Sequence, residues 1–269
     1  LHRLFVAPIM DGDCITGAIV ESKAGREAIM ASRVVDATGD ADVAHRAGAI
    51  TLKQAKEDMI GASVMVSMSG VNKTRFIENV KADPQTYRDW AYGQWTVETT
   101  GKEDEMFSPY LGKPFEQAIK DGLIPAHLTT IAGTWGAVHD SGEMTYMNLI
   151  HLAGVDGTDP DSLTEWEIEG RRQAMLAIEA LKRYTPGCEG ARLRNFGMSI
   201  GIRDTRKIDA LYNMTEDDVR HEGRFEDSIG IYPEFIERGF TVLIWANVDI
   251  NNKDAIISSC WNANHCIWK

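Results

Sequence analysis

The stretch VVDATGDADVAHRAG, residues 34–48, decides how the rest of the chain is read. A β-branched pair, Val34-Val35, runs into Asp36 and then into the small residues Ala37-Thr38-Gly39. A short apolar run that stops abruptly in small residues and glycine is the pattern of a buried strand, expected over Arg33–Asp36 in a parallel sheet. Asp40 is placed to N-cap a short helix over Ala41–Ala47, which Gly48 would stop. Taken alone, the segment reads as an ordinary strand-to-helix turn with a capping aspartate, and its neighbours decide whether it is more than that.

Upstream, the chain reads as β. Arg3–Met10 (RLFVAPIM) is apolar and meets Asp11-Gly12-Asp13, a strong hairpin signal. Cys14–Glu21 (CITGAIVE) and Glu27–Ala31 (EAIMA), separated by a turn at Ser22–Arg26, complete a three-stranded antiparallel meander. Downstream, Val64–Met68 and Met144–Leu152 (MTYMNLIHL) read as strands. Asn72–Val80 reads as a helix redirected at Asp83-Pro84, and Phe115–Asp121 as a helix entered through Lys113-Pro114. The clearest helix is Glu165–Tyr184. Thr164 stands at its N-cap in a capping box with Glu167, Ala174, Ile178 and Leu181 recur at helical spacing, and Pro186-Gly187 closes it. Gly154–Asp161 is read as a loop, Ala191–Ile202 as extended, Thr215–Asp218 as the start of a short helix, and Phe240–Ala246 (FTVLIWA) as a strand.

The composition bounds the function. Of 269 residues, 43% are hydrophobic and 25% charged, which is globular. With 40 acidic and 28 basic residues the net charge is -12, so the chain repels phosphate backbones and anionic lipid, and neither nucleic acid nor membrane is an expected partner. Four cysteines in this length make no disulfide framework, which is the expectation for reduced thiols in a cytoplasmic protein. No apolar run reaches the ~20 residues of a membrane helix. Leu1 is not a start methionine and opens at once into strand-like sequence, the expectation for an internal piece of a longer chain. Cys260, His265 and Cys266 form no paired zinc signature, so no metal is expected.

Three segments together resemble the FAD-dependent oxidoreductases, relatives of the two-dinucleotide-fold flavoproteins. They are Val34–Gly48, Asp156–Gly187 with its Glu169-Gly-Arg-Arg-Gln-Ala stretch, and Gly201–Val219 (GIRDTRKIDALYNMTEDDV), which looks like that family's Gly-x-Arg-x-(Thr/Ser)-Arg block. The likeness covers roughly residues 1–240, a span judged from pattern. It implies an α/β fold, α+β locally: a partial Rossmann-type FAD-binding domain with its meander over 1–50, a mixed substrate or cap domain over 51–250, and an atypical tail over 251–269. It implies an enzyme that passes hydride between a small organic substrate and the flavin of a bound FAD. It also implies that Asp36, Ala37, Thr38, Gly39 and Asp40 face the cofactor, at the carboxyl edge of the sheet where ligands collect. The sequence departs from the family pattern in holding no Gly-x-Gly-x-x-Gly turn, which would cradle the FAD pyrophosphate. Nor does it show the strand and Gly-containing turn that close over the flavin. The activity of this stretch alone is therefore open, and a non-catalytic globular fragment is the alternative. So is a small-molecule or carbohydrate-binding module that uses Trp90, Tyr92 and Trp95.

The candidate catalytic residues are Arg203, Arg206 and His139. A guanidinium can grip a carboxylate or stabilise developing negative charge; both arginines can equally be structural partners of Asp204 or Asp209. His139 sits in Trp135–Ser141 (WGAVHDS), a polar, aromatic stretch suited to a pocket. His151, after a strand, is a second histidine able to act as general acid or base, and Asn148 on that strand can hydrogen-bond a substrate. For each, a satisfied structural role is the competing reading.

Overall fold

The computed structural model describes residues 2–83, 110–213 and 224–225, and the backbone of four further strands, 228–236, 240–247, 256–258 and 266–268. The chain divides into two compact units, Leu1–Ala55 with Asp204–Lys269, and Lys56–Arg203.

The first unit opens with the meander: β1 (Leu4–Asp11), β2 (Cys14–Ser22) and β3 (Gly25–Met30) pair antiparallel in the order β1-β2-β3. The short β4 (Val34–Asp36) follows, then helix α1 (Asp42–Arg46) and β5 (Thr51–Lys53). The expected cap of α1 is corrected. Asp40 is not the N-cap; Ala41 is, with a left-handed φ of 54° and no side-chain cap of its own. The helix amides are taken instead by Asp36, from outside the helix sequence.

The second unit is built on one sheet. β6 (Ala62–Ser69) leads to α2 (Lys73–Ala82), capped by the Asn72 side chain on the Arg75 amide at 3.1 Å. Helix α3 (Lys113–Lys120) has proline in its first turn, where the missing N–H costs nothing. The two-residue β7 (Ala137–Val138), β8 (Met144–Leu152), helix α4 (Pro160–Tyr184) and β9 (Arg192–Phe196) complete the unit. The sheet order is β7-β8-β6-β9, every neighbour antiparallel. Ala62, Val64, Val66 and Met68 alternate into the core on β6, while β8 buries Met144, Met147, Leu149, Ile150 and Leu152, its alternation broken by register shifts against β6. Ala174, Ala177, Ile178 and Leu181 form the buried stripe of α4 in the same core. Helix and sheet come closest at Gly170, where an added Cβ would lie 2.4 Å from a methyl of Val64 and 2.8 Å from one of Leu152.

Helix α4 starts five residues before the expected Glu165. Asp159 is its N-cap, accepting from the Asp161 amide at 3.0 Å, and Pro160 presets the first turn. Thr164 is no cap: its hydroxyl donates back to the Pro160 carbonyl at 2.8 Å, inside the helix. Glu167, expected in a capping box, accepts from the Ile200 amide at 2.6 Å. The Ala191–Ile202 segment is a strand only over β9.

The chain then returns to the first unit with β10 (Arg206–Ile208), β11 (Tyr212–Asn213), β12 (Ser228–Ile236), β13 (Phe240–Asn247), β14 (Ile256–Ser258) and β15 (Cys266–Trp268). β12 and β13 form a hairpin, and β10 pairs antiparallel with β5. β4 pairs in parallel with β14, in a mixed sheet of order β11-β15-β14-β4. The mixture of helix and largely antiparallel sheet is that of an α/β protein. The aromatic group Trp90, Tyr92 and Trp95 and the expected helix at Thr215–Asp218 lie outside the described residues.

Candidate functional site

The turn after β4 is organised by one carboxylate. Asp36 is fully buried, and its two oxygens divide the work. Oδ1 accepts from the Thr38 amide at 3.1 Å and the Thr38 hydroxyl at 2.7 Å. Oδ2 accepts from the Val43 and Ala44 amides at 3.0 and 2.9 Å. Four donors converge because the first amides of a helix have no partner within it, and a carboxylate there is also favoured by the helix dipole. The Thr38 hydroxyl in turn accepts from the Asp42 amide at 3.0 Å. Asp36 and Thr38 thus spend their polar atoms on holding the turn.

What the turn presents outward is Ala37, Thr38 and the backbone at Gly39. Ala37 and Thr38 are exposed. Gly39 has φ +87°, a conformation that costs a side chain about 1–2 kcal/mol, yet a Cβ built there meets nothing within 4 Å. Backbone conformation, not crowding within the chain, selects glycine, and the space beside it is open.

Asp40 and Arg206 brace the far side. The Asp40 carboxylate accepts from the Thr205 hydroxyl at 2.6 Å, and its backbone carbonyl accepts from Arg206 Nε at 3.0 Å. Burial holds the Asp40 carboxyl above its ordinary value. The Thr205 hydroxyl and Arg206 pull it down, while Asp42 and Asp36 add to the rise. The Arg206 guanidinium also pairs with the Asp42 carboxylate and is only 14% exposed. Lys207 pairs with the buried Asp204. Arg206 therefore touches the turn through two of its members, on a different element from Arg203.

The second locus lies in the other unit, on the sheet face turned away from α4. Ser63 and His151 face each other across β6 and β8. They alternate with the core residues Ala62, Val64, Ile150 and Leu152. Arg203 donates from Nη2 to Ser63 Oγ at 3.3 Å. His151 Nε2 lies 3.2 Å from the Ala132 carbonyl. Burial first, and the charge of Arg203 second, hold the His151 pKa below its ordinary 6.5, against a smaller upward pull from that carbonyl. Asn148, on the same strand, has a sealed Oδ1 with no hydrogen-bond partner. His139 is at the other end of β8. It closes the β7–β8 hairpin through its backbone, donating to Glu143 at 2.8 Å, and its side chain is exposed. Arg203 and His151 are brought together, and His139, at the far end of β8, does not join them. Ser63 is the member that sequence reasoning missed. Its signal is a small polar residue among Ala, Val and Met in a strand whose other face is apolar.

These are the features of an α/β protein with an open strand-end turn in one unit and a polar sheet face in the other. The chain belongs to the FAD dependent oxidoreductase family, whose family model matches residues 1–237. No curated protein and no solved structure matches it. Its class is oxidoreductase and its cofactor is FAD. On the side of the turn where Gly39 lies, an added Cβ would meet nothing within 4 Å, so there is room beside that backbone. Among the described residues, no cluster of His, Cys, Asp and Glu is arranged to hold a metal, and no helix is long and apolar enough to cross a membrane.

Proposed function

We propose that the chain takes part in hydride transfer between a small organic substrate and flavin. The observation that carries this reading is the turn from Asp36 to Asp42, in which a buried carboxylate spends all its capacity on keeping a strand end open. β4 would be one strand of a Rossmann-type layer, and its parallel pairing with β14 supports that. In such layers ligands sit beyond the carboxyl ends of the strands, at helix starts.

In this reading Ala37, Thr38 and Gly39 line the cofactor side, and Asp40, bound by Thr205 and Arg206, braces the turn from the far side. Asp36 and Arg206 act as positioning residues, one through the α1 amides and the other through Asp40 and Asp42. FAD, when bound, supplies the two-electron acceptor. Arg203 serves the substrate side, where a partly buried guanidinium offsets negative charge more strongly than it would in water. The sequence contains no Gly-x-Gly-x-x-Gly turn, so the turn after β4 is the pyrophosphate-independent part of the contact, and affinity of this stretch for FAD is expected to be modest.

The test is a titration of FAD with the chain, followed by flavin fluorescence, beside Ala37→Trp. That substitution crowds the open side without removing any hydrogen bond of the turn. Saturable quenching that Ala37→Trp weakens tenfold or more is expected. No saturable quenching, or equal affinity in the variant, would overturn the reading.

A further inference from the structure

We propose that the cavity where α2 and α4 end and α3 begins binds a neutral pyranose sugar. This goes beyond the oxidoreductase reading and does not rest on it.

The last turn of α2, the first turn of α3 and the end of α4 enclose a cavity of about 280 Å³, and all of its walls belong to the second unit. Pockets for drug-sized ligands begin at about 300 Å³, so this volume takes a molecule the size of one sugar ring and not a larger one.

One wall carries a polar atom that the chain leaves unsatisfied. Thr185, the C-cap of α4, lines the cavity and is 3% exposed. Its backbone is fully used: the amide donates to the Leu181 carbonyl at 3.0 Å, and the carbonyl accepts from the Cys188 amide at 2.9 Å. Its hydroxyl is buried and has no partner. Buried hydroxyls are nearly always hydrogen-bonded, so one left over at the wall of a cavity points to a partner that the chain does not supply. Asn79, half-buried on α2, lines the same cavity, and its side-chain amide makes no hydrogen bond to another described residue.

The remaining walls narrow the ligand class. The charged residues among them are Lys113 and Asp83, and these pair with each other, Nζ donating to Oδ1 at 2.6 Å. The cavity therefore offers no net charge to an ion. A hydroxyl and an amide each donate and accept, and the ligand group that answers both is again a hydroxyl. Val80 and Leu111 add apolar surface, and so does the Tyr184 ring, which its own hydroxyl anchors to Asp121 at 2.7 Å. Water can satisfy Thr185 and Asn79 but gains nothing from that surface. A pyranose carries C–H groups on its faces and hydroxyls around its rim, and so matches both kinds of wall.

The test is NMR of the whole chain, following the Asn79 side-chain amide and the Thr185 backbone amide. The probes are methyl gluco-, galacto- and mannopyranoside, beside cyclohexanol, which has a ring but one hydroxyl, and glycerol, which has hydroxyls but no ring. At least one pyranoside should shift both resonances saturably, and cyclohexanol and glycerol should bind at least fivefold more weakly. Asn79→Ala, read at Thr185, should weaken that pyranoside at least fivefold. Thr185→Val, which keeps the shape and removes only the hydroxyl, should weaken it several-fold and serves if Asn79→Ala does not fold. Glu78→Gln, on α2 outside the cavity walls, should leave the affinity unchanged. No saturable shift with any pyranoside, equal binding of cyclohexanol or glycerol, or parent-like affinity in both Asn79→Ala and Thr185→Val would overturn the proposal.

Discussion

Replacing Asp36 with alanine removes the acceptor of four hydrogen bonds at once, and the structure says which of them matter. The Thr38 amide and hydroxyl are at an exposed residue and can turn to water. The Val43 and Ala44 amides cannot, because those residues are 7% and 0% exposed. A buried donor without a partner costs about 1–3 kcal/mol, and loss of a helix N-cap about 0.5–2 kcal/mol. The two amides together therefore put the loss at about 2–4 kcal/mol, localised to the turn and α1. At about 1.4 kcal/mol per factor of ten, this is roughly a 30- to 700-fold faster amide exchange. Hydrogen exchange read at Val43 and Ala44 measures it directly, without assuming that the two units unfold together. Asp36→Asn keeps the volume but must turn an NH2 toward one donor pair, and should show a smaller acceleration. If both amides in Asp36→Ala exchange within threefold of the parent chain, the carboxylate is not what holds the turn, and the account of the site is wrong.

Three further outcomes follow from the second unit. Gly170→Ala gains about 1 kcal/mol of helix propensity but drives a methyl to 2.4 Å from Val64, an overpacking cost of about 1–3 kcal/mol; net destabilisation in urea unfolding is expected, and a gain would contradict the packing. His151 has a folded pKa below its ordinary 6.5, so the stability it contributes is present above that value and is lost as pH falls through the lowered one. Exchange protection of β6 and β8 should accordingly drop on acidification in the parent chain, and His151→Gln should flatten that dependence. Cys188 is fully buried, and its thiol is pushed up to about 12 by burial first and Glu189 second. Peptide mapping after iodoacetamide at pH 8 should find it unmodified in the native protein and modified in urea.

The local pattern was legible wherever one stretch of chain settles its own structure. The alternation of Met144–Leu152 set the bounds of β8, Pro114 marked the start of α3, and Asp11-Gly12 set the first hairpin. It failed where a polar residue had two uses. Thr164 has the spacing of a cap but bonds inside the helix, while Asp159-Pro160, read as loop, is the true start. The α1 cap was misplaced for a related reason: Asp40 is adjacent in sequence, but Asp36 reaches the amides from seven and eight residues back. The arginines could be read only as alternatives. Whether Arg203 and Arg206 share a face depends on local backbone, and the structure puts Arg206 on β10 and Arg203 before it. The grouping of Ser63, His151 and Arg203 spans 140 residues between its ends; the register of β6 on β8 sets Ser63 beside His151, and the bridge between Ser63 and Gly201 brings Arg203 to them. Strand register is a property of pairing, not of either strand alone.

The central claim is that the turn after β4 faces FAD. Hydrogen exchange of the chain with and without saturating FAD tests it most directly. The account predicts slower exchange over Ala37–Asp42 on adding FAD, with the β7–β8 hairpin at His139 unchanged. Protection that appears elsewhere while Ala37–Asp42 exchanges as before would contradict it.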